Sequence, residues 1–425
     1  MAFVSYASLL RNWWAFVHKH DVIHHVVCCI CHSQSWIPSL SRHINWHRLS
    51  LWPPSLRVSP LACWHTLFGM PLLLLPKNHR VSWQLCRLRR QFSGLPPTTI
   101  PILESVASCR TWRLKAYDEK KSVGFVPTMG AFHEGHLSLL RRSLSENDLT
   151  IVSIFVNPGQ FAPGEDFEKY PRMLSRDLEQ LASGQVSVGN VLRTTSAVFL
   201  PGVQEMHPSG ITRDVASQKG TFVEVEGCSH QMEGAIRPTL YRAIATIVTK
   251  LFNVVQPTNV YLGQKDIQQA LMIRQLCRDL LLADPDAKRV HIVRTVRDPI
   301  DGVALSSRNA YLSVDERSCA GTLYRALQAA ETAWTRGETK EKSISAAAAV
   351  VEQGKTKAAS KGVEMKLEYV EMNDAGSFEV LDGKLHKGSR SLGGTNPILL
   401  TGMLWVGKTR LVDNIVIGDS GTIVS

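Results

Sequence analysis

The stretch of residues 123–144, VGFVPTMGAFHEGHLSLLRRSL, constrains the fold more than any other part of the chain. It begins with an apolar run at 123–126, which is typical of a buried strand in a parallel sheet. A proline-and-glycine turn follows, and Leu137, Leu140 and Leu144 then recur at the spacing of a helix with one buried face. With the apolar run at 150–156, the pattern predicts a βαβ unit.

The turn between this strand and helix has the features of a phosphate site. Ligands of α/β proteins bind at the carboxyl edge of the sheet, where such turns lie. A helix N-terminus offers unpaired N–H groups and a positive dipole end, and both favour phosphate. Gly130 and Gly135 let the backbone approach an anion, and His133 and His136 can donate to its oxygens. The turn therefore predicts a nucleotide site, with an ordinary βα turn as the alternative.

The same histidines do not match a zinc motif. H-E-x-x-H requires its second histidine four residues after the first, and Leu137 stands there. No metal ligand is assigned from the sequence with certainty.

The net charge of +11 belongs to the first part of the chain. Residues 1–99 contain ten Lys or Arg and a single acid, Asp21, together with seven of the ten tryptophans. The remaining residues are close to neutral, with 38 Lys or Arg against 36 Asp or Glu. The basic total therefore does not indicate a nucleic-acid-binding protein, and no nucleic-acid partner is predicted.

Residues 1–98 are predicted to be an N-terminal extension that carries no chemistry. Their basic composition allows a mitochondrial presequence, although they lack amphipathic periodicity. The apolar run at 61–76 is too short and interrupted to span a membrane, and Cys28, Cys29 and Cys31 have no second pair at zinc-site spacing. A disordered or non-native segment is the preferred interpretation, and no membrane partner is predicted.

The rest of the chain holds four widely spaced cysteines without a C-x-x-C pair: Cys109, Cys228, Cys277 and Cys319. This pattern favours buried, reduced thiols in an intracellular protein. We expect a cytoplasmic location, with the mitochondrion as the alternative.

Strand and helix patterns alternate from about residue 100 onward. Further strands are predicted at 197–200, 221–226, 259–262 and 289–293, and helices at 166–181, 242–255 and 267–282. The polar stretch 183–196 is predicted to be a surface loop. After residue 309, helices at 314–337 and 340–361 and strands at 367–372, 398–406 and 410–417 predict a smaller α+β region. The order indicates an α/β protein with a parallel sheet.

Two more loops carry phosphate-binding residue types. Lys265 and Asp266 follow a predicted strand, where a lysine can reach phosphate as a compact charge and an aspartate can cap the next helix. The segment 301–309, DGVALSSRN, places two hydroxyls and an arginine after a glycine turn. Gln160 follows the second strand and can face the same ligand, although a plain loop amide is the alternative.

Six segments occur in the order seen in a known enzyme family. They are PTMGAFHEGH, VNPGQF, EDFEKYPR, LGQKDIQQ, LSSRN and TRLVDN. On these motifs the chain resembles the pantothenate synthetases, or pantoate–β-alanine ligases, of the nucleotidylyltransferase superfamily with a His-x-Gly-His signature. The likeness covers residues from about 100 to 417.

The resemblance implies a Rossmann-like ATP- and pantoate-binding domain at 99–295, a C-terminal lid domain at 296–425 and a homodimer. It implies that the carboxylate of (R)-pantoate attacks ATP to give pantoyl adenylate and pyrophosphate. The amine of β-alanine then displaces AMP to give pantothenate. Mg²⁺ is expected on the phosphates, where it keeps several waters. A closing lid would protect the acyl adenylate from water.

The resemblance also implies the site residues. The expected ATP-binding residues are Met129, Gly130, His133, Gly135, His136, Gly263, Lys265, Asp266, Val296, Leu305, Ser306, Ser307 and Arg308. Among these, His136 is the expected catalytic proton donor with His133 beside it, and Lys265 and Arg308 complete the expected catalytic set. Gln160 and Gln269 would hold pantoate, and Gln160 would also contact β-alanine.

One departure concerns the phosphate site. The family usually has a histidine three residues after Arg237, and this chain has Leu240. A leucine cannot donate to a phosphate, and by analogy with oxyanion-hole removals the loss costs about 10²–10³ in rate. Gln264 stands where the family commonly has Glu. Two alternatives remain: a non-catalytic relative that binds ATP and pantoate, or another nucleotidylyltransferase.

Overall fold

The computed structural model describes residues 95–390 and 396–424. The predicted N-terminal extension, apart from its last four residues, lies outside the described residues. Within the described part of the chain, no helix is long and apolar enough to cross a membrane.

Eleven strands and eleven α-helices, together with seven short 3₁₀ helices, make up the described fold. The strands are β1 (Ile102–Leu103), β2 (Val123–Thr128), β3 (Leu149–Ile154), β4 (Gln185–Val188), β5 (Val191–Thr194), β6 (Ala197–Phe199), β7 (Asn259–Gly263), β8 (Val290–Val293), β9 (Met365–Asp374), β10 (Ile398–Val406) and β11 (Thr409–Ile417). The helices are α1 (Val106–Asp118), α2 (Glu134–Glu146), α3 (Leu174–Ser183), α4 (Val203–Met206), α5 (Glu233–Ile236), α6 (Leu240–Val255), α7 (Ile267–Asp279), α8 (Val314–Ala320), α9 (Thr322–Thr335), α10 (Lys340–Ala359) and α11 (Lys387–Arg390).

The larger sheet has six parallel strands in the order β1-β6-β3-β2-β7-β8. Its two faces are covered by separate apolar clusters, because successive side chains of a strand point to opposite sides. Phe125 and Ile151 belong to one cluster, and their neighbours Val126 and Val152 belong to the other. This is the parallel α/β fold that the sequence predicts.

The C-terminal part is built on a three-stranded antiparallel sheet in the order β11-β10-β9. Helices α9 and α10 supply Leu327, Trp334 and Val351 to a core shared with Met372 and Leu400 of the sheet. The predicted α+β region is therefore confirmed in its element types. The helix predicted at 314–337 is divided at Gly321 into α8 and α9, where a side chain would meet the carbonyl oxygen of Asp301 at 2.8 Å.

The helix predicted at 166–181 is wrong in its first half, since α3 begins only at Leu174. Pro171 disfavours helical backbone at the residue before it, and the segment turns instead. The turn brings the Asp166 carboxylate to Arg308, with both contacts at 3.2 Å.

Two further predictions in the middle of the chain are wrong. The loop expected at 183–196 is the hairpin β4–β5, whose turn has Gly189 at φ 58°. The strand expected at 221–226 has no regular structure. The Val223 N–H donates at 2.9 Å to the Thr246 hydroxyl of α6 instead of joining a sheet.

Candidate active site

A cavity of about 800 Å³ lies between the carboxyl ends of β2 and β7 and the antiparallel sheet. Fourteen of the fifteen candidate residues line it, and of the candidates only Gly130 does not. The fourteen are Met129, His133, Gly135, His136, Gln160, Gly263, Lys265, Asp266, Gln269, Val296, Leu305, Ser306, Ser307 and Arg308. The three loops predicted to meet at one ligand site therefore surround one space.

The first loop is held by a buried carboxylate that the sequence reasoning missed. Asp177 of α3 accepts hydrogen bonds from the Ala131 N–H at 2.9 Å and the Phe132 N–H at 2.8 Å. Burial raises the pKa of this carboxyl. Gly130 has φ +81°, and a side chain there would meet the Asp177 carboxylate at 2.9 Å. Gly130 therefore shapes the turn from behind the cavity.

The sequence pattern around Asp177 could have indicated that this carboxylate is buried. It shares one face of α3 with Leu174, Leu178 and Leu181, at helical spacing. A carboxylate on an apolar face needs partners in the folded protein, because burying an unpaired charge is costly.

The two histidines of the first loop have the same tautomer. His133 is the N-cap residue of α2, and its Nδ1 accepts the Gly135 N–H at 3.1 Å. The His133 N–H in turn donates to Nδ1 of His136 at 3.4 Å. A neutral imidazole whose Nδ1 accepts carries its proton on Nε2. Each ring is therefore left with an Nε2–H donor.

The electrostatics of the pair modify the role expected for His136. Burial lowers the pKa of His133 to about 4, with the positive charge of Lys265 as a second cause. Burial lowers the pKa of His136 to about 3, with His133 and then Lys265 contributing. Both rings are neutral near pH 7, so they suit hydrogen-bond donation to an anion better than transfer of a proton.

Replacement of Gly135 by alanine is expected to impair the predicted nucleotide site without weakening the fold. Alanine favours the helix, but its Cβ would lie 2.8 Å from the His133 ring and would displace that ring. We expect kcat/KM for the nucleotide to fall about tenfold, since one hydrogen-bond donor is misplaced. Steady-state kinetics and thermal melting would measure both effects. Gly383→Ala, whose Cβ meets its nearest neighbour at 3.9 Å, is the matched control; equal kinetics in both variants would contradict the assignment.

The second loop carries Lys265 and is held by the C-terminal sheet. The buried Asn414 of β11 donates at 2.9 Å to the carbonyl oxygens of Gln264 and Lys265, and it accepts from the Gln264 amide at 3.1 Å. The predicted helix cap by Asp266 is wrong, because its side chain makes no capping hydrogen bond to α7. The Asp266 carboxylate instead contacts the Lys265 ammonium at 3.1 Å.

The third loop touches the first directly. The Ser307 hydroxyl donates to the Ala131 carbonyl oxygen at 3.0 Å. The Arg308 guanidinium pairs with Asp166 and lies 5.9 Å from the centroid of the Tyr170 ring. The first and third loops are thus linked by a hydrogen bond, and the second loop is held by β11, before any ligand is considered.

The antiparallel sheet adds basic groups for which no role was predicted. Lys408 and Arg410 line the cavity, and Arg410 pairs with Glu233 at 2.6 and 2.9 Å. Tyr369 of β9 donates to the same carboxylate at 2.8 Å. Arg410 lies inside the motif TRLVDN, and that motif could have indicated it as a site residue.

The two glutamines at the start of α7 have different environments. Gln268 is buried and accepts from the Tyr241 hydroxyl at 2.8 Å, and its amide donates to the carbonyl oxygens of Cys228 and Gln231. Both glutamines line the cavity, as does Leu240 at the start of α6, but the Gln268 amide is the one engaged in these hydrogen bonds. Gln268 is therefore occupied in holding the chain, and Gln269 is available to a ligand.

The described residues contain no group of three or more His, Cys, Asp or Glu side chains arranged to hold a metal. The four cysteines of this part of the chain are free and buried, as predicted.

Comparison with known proteins gives concordant matches. A family described as Pantoate-beta-alanine ligase matches residues 101–416. The pantothenate synthetase of Moorella thermoacetica is 40% identical over 316 residues, which are 74% of this chain and 98% of the relative. That of Herpetosiphon aurantiacus is 42% identical over 294 residues, covering 69% of this chain and 93% of the relative.

Solved structures agree with these sequence matches. A pantothenate synthetase from Thermus thermophilus has a TM-score of 0.59 and 34% identity, and the match covers 74% of this chain and 99% of that one. A pantoate-beta-alanine ligase from Francisella tularensis, solved as a complex with Beta-gamma ATP and beta-alanine, has a TM-score of 0.54 and 29% identity. That match covers 75% of this chain and 98% of the other.

Proposed function

The chain belongs to the pantoate–β-alanine ligase family, and on that premise we propose how its cavity carries out the family's reaction. The protein is an ATP-dependent acid–amine ligase that joins (R)-pantoate to β-alanine through pantoyl adenylate, with release of pyrophosphate and AMP. The observation that carries the residue assignment is the meeting of three loops with imidazole, lysine and Ser-Ser-Arg groups around one cavity.

In the first step, an oxygen of the pantoate carboxylate forms a bond to the α-phosphorus of ATP, and the bond to the pyrophosphate oxygen breaks. Negative charge grows on the phosphoryl oxygens and the leaving group. Preorganised donors stabilise such charge most when they need not move during the reaction. We assign this role to the Nε2–H groups of His133 and His136, to Lys265, and to the third loop.

The hydrogen bonds between loops support this assignment. The hydrogen bond from Ser307 to Ala131 holds the third loop against the first. The hydrogen bonds from Asn414 hold the loop of Lys265 in position. Positioning groups in advance removes much of the entropic cost of bringing reactants and donors together.

In the second step, the amine of β-alanine attacks the acyl carbon, loses a proton and expels AMP. We assign Gln160 and Gln269 to pantoate, and Gln160 also to β-alanine. Both amides line the same cavity as the phosphate-binding groups, and Gln269 is not used in holding the chain as Gln268 is.

Mg²⁺ fits this cavity only as an ion bound mainly by the nucleotide. Asp266 supplies one carboxylate to the lining, and its side chain is 59% exposed. Mg²⁺ on phosphates commonly uses one or two carboxylates and keeps its waters. Asp266 would hold such an ion, which would supply charge neutralisation at the phosphates.

Release of AMP with each substrate omitted in turn tests the proposed function. We expect AMP only when ATP, pantoate and β-alanine are all present, and pyrophosphate exchange into ATP that depends on pantoate. Binding of ATP and pantoate without AMP would support the non-catalytic alternative. Exchange that ignores pantoate would support another nucleotidylyltransferase.

Leu240→His is expected to raise the rate of AMP formation. The position lines the cavity, and a histidine there adds a donor that the family usually has. We expect kcat to rise by about 10–10²-fold, which corresponds to one added hydrogen bond to a charged group. Leu240→Met, which keeps an apolar side chain of similar volume, is the control. An unchanged or lower kcat in the histidine variant would show that the absence of a histidine at this position does not limit the rate.

A homodimer in the cytoplasm remains part of the proposal. The relatives named above are bacterial and give the mitochondrial alternative no support. Size-exclusion chromatography with light scattering on the full chain would measure the oligomeric state.

A further inference from the structure

We propose that His207 is a positioning residue for substrate binding, which acts through Asn157 to decide which end of the Gln160 amide faces the cavity. This inference deepens the proposed function and rests on it. The proposal is based on a chain of hydrogen bonds, buried at its centre and partly buried at its ends, that runs from Lys250 through His207 and Asn157 to Gln160.

The chain begins at an ammonium group, which can only donate. Lys250 of α6 donates to the Met206 carbonyl oxygen at 2.9 Å and lies 3.4 Å from Nδ1 of His207. Since an ammonium has no acceptor, Nδ1 of the imidazole must accept. The ring therefore carries its proton on Nε2.

Nε2 of His207 lies 3.0 Å from Oδ1 of Asn157, so the ring donates to this amide oxygen. The Gly159 N–H lies 3.4 Å from the same oxygen and can only donate. Two donors at one atom identify it as the oxygen of the amide. The Asn157 nitrogen is thereby turned toward Gln160.

The Asn157 nitrogen donates at 3.2 Å to Oε1 of Gln160. The oxygen end of the Gln160 amide is thus occupied, and its NH₂ end is left for a ligand in the cavity. The main-chain oxygen of Gln160 accepts from Arg237 at 3.0 Å, which fixes the backbone beneath it. Gln160 therefore recognises an acceptor, such as an oxygen of a carboxylate or hydroxyl group on pantoate or β-alanine.

The surroundings of His207 keep the direction of these hydrogen bonds constant. The ring is 5% exposed and packs beside Phe155 at 6.1 Å between centroids. Burial lowers its pKa to about 4, with Lys250 as the second cause, so it stays neutral near pH 7. Arg242 lines the same small cavity as His207, and its guanidinium is paired with Glu224 at 2.9 Å.

Kinetics of His207→Phe and His207→Gln, in the full chain, test the proposal. Phenylalanine keeps a ring but removes the nearer of the two donors to the Asn157 oxygen and leaves only the Gly159 N–H at 3.4 Å, so the orientation of the Asn157 and Gln160 amides is less firmly fixed. We expect the KM for pantoate to rise about tenfold, with kcat and the KM for ATP within about threefold of the parent. Glutamine restores a donor, and we expect it to recover most of the affinity for pantoate.

A merely structural role predicts a different result, namely a lower melting temperature with similar changes in the KM values of all substrates. The double variant His207→Phe with Gln160→Ala separates the two, because a residue that acts only through Gln160 has no further effect once that amide is gone. Equal effects of His207→Phe in the two backgrounds, or an unchanged KM for pantoate, would overturn the proposal.

The tautomer of His207 can also be tested by NMR spectroscopy, which does not depend on turnover. Long-range ¹H–¹⁵N correlation of histidine-labelled protein, with the His207 signal assigned from the His207→Gln spectrum, reports the tautomer. We expect Nε2–H in the parent, and an Nδ1–H ring would refute the inference. Absence of AMP formation by the parent together with the Nε2–H tautomer would count against the proposed function and leave the hydrogen-bond chain standing.

Discussion

Replacing His136 with alanine is expected to lower the rate of AMP formation by about 10²–10³-fold, the usual cost of removing one preorganised donor at a developing anion. Its Nδ1 is occupied by the His133 N–H, so the group that alanine removes from the cavity is the Nε2–H. The loss should appear in kcat, because the donor acts on charge that develops only in the transition state.

The design of this experiment needs a control for the loss of an imidazole. His386 is exposed and does not line the cavity, so His386→Ala should keep the parental rate. Pantoate-dependent exchange of pyrophosphate into ATP measures the first chemical step by itself. Full activity in His136→Ala would remove this residue from the mechanism.

Lys265→Ala is expected to have an effect of similar size, about 10²–10³-fold on kcat/KM for ATP. Within the second loop, Lys265 lines the cavity and supplies the positive charge that we assign to the triphosphate. Its ammonium pairs with Asp266 in the structure, and the proposed role requires it to turn to phosphate when ATP binds. Because a lysine acts as a compact point charge, Lys265→Arg should recover only part of the activity.

The matched control is Lys384→Ala, which removes an exposed lysine outside the cavity. Binding of ATP measured by calorimetry should fall in Lys265→Ala and stay unchanged in Lys384→Ala. Equal affinities for ATP in parent and Lys265→Ala would contradict the role given to this loop.

The predictions that succeeded rest on local patterns. The strand β2, its glycine turn and α2 were predictable because apolar periodicity changes there from a continuous run to helical spacing within about 20 residues. The convergence of three loops followed from motif order and from the rule that ligands bind at the carboxyl ends of parallel strands.

The predictions that failed depend on partners distant in sequence. The 221–226 segment has the alternation of a strand but meets the Thr246 side chain instead of a neighbouring strand. Asp177 acts on backbone groups about 46 residues earlier, and no local pattern announces that pairing. The imidazole of His133 serves as a helix cap, a task for which residue preferences favour Ser, Thr, Asp or Asn.

The contact of Asn414 with the Lys265 loop has a thermodynamic consequence. The Asn414 amide of the antiparallel sheet stabilises the loop that is proposed to bind the triphosphate. The affinity for nucleotide and the docking of that sheet are therefore thermodynamically coupled. Such coupling is reciprocal: docking of the sheet raises the affinity for ATP, and bound ATP stabilises the docked sheet by the same free energy. Nucleotide should therefore slow hydrogen exchange in β11 as well as in the loops that contact it.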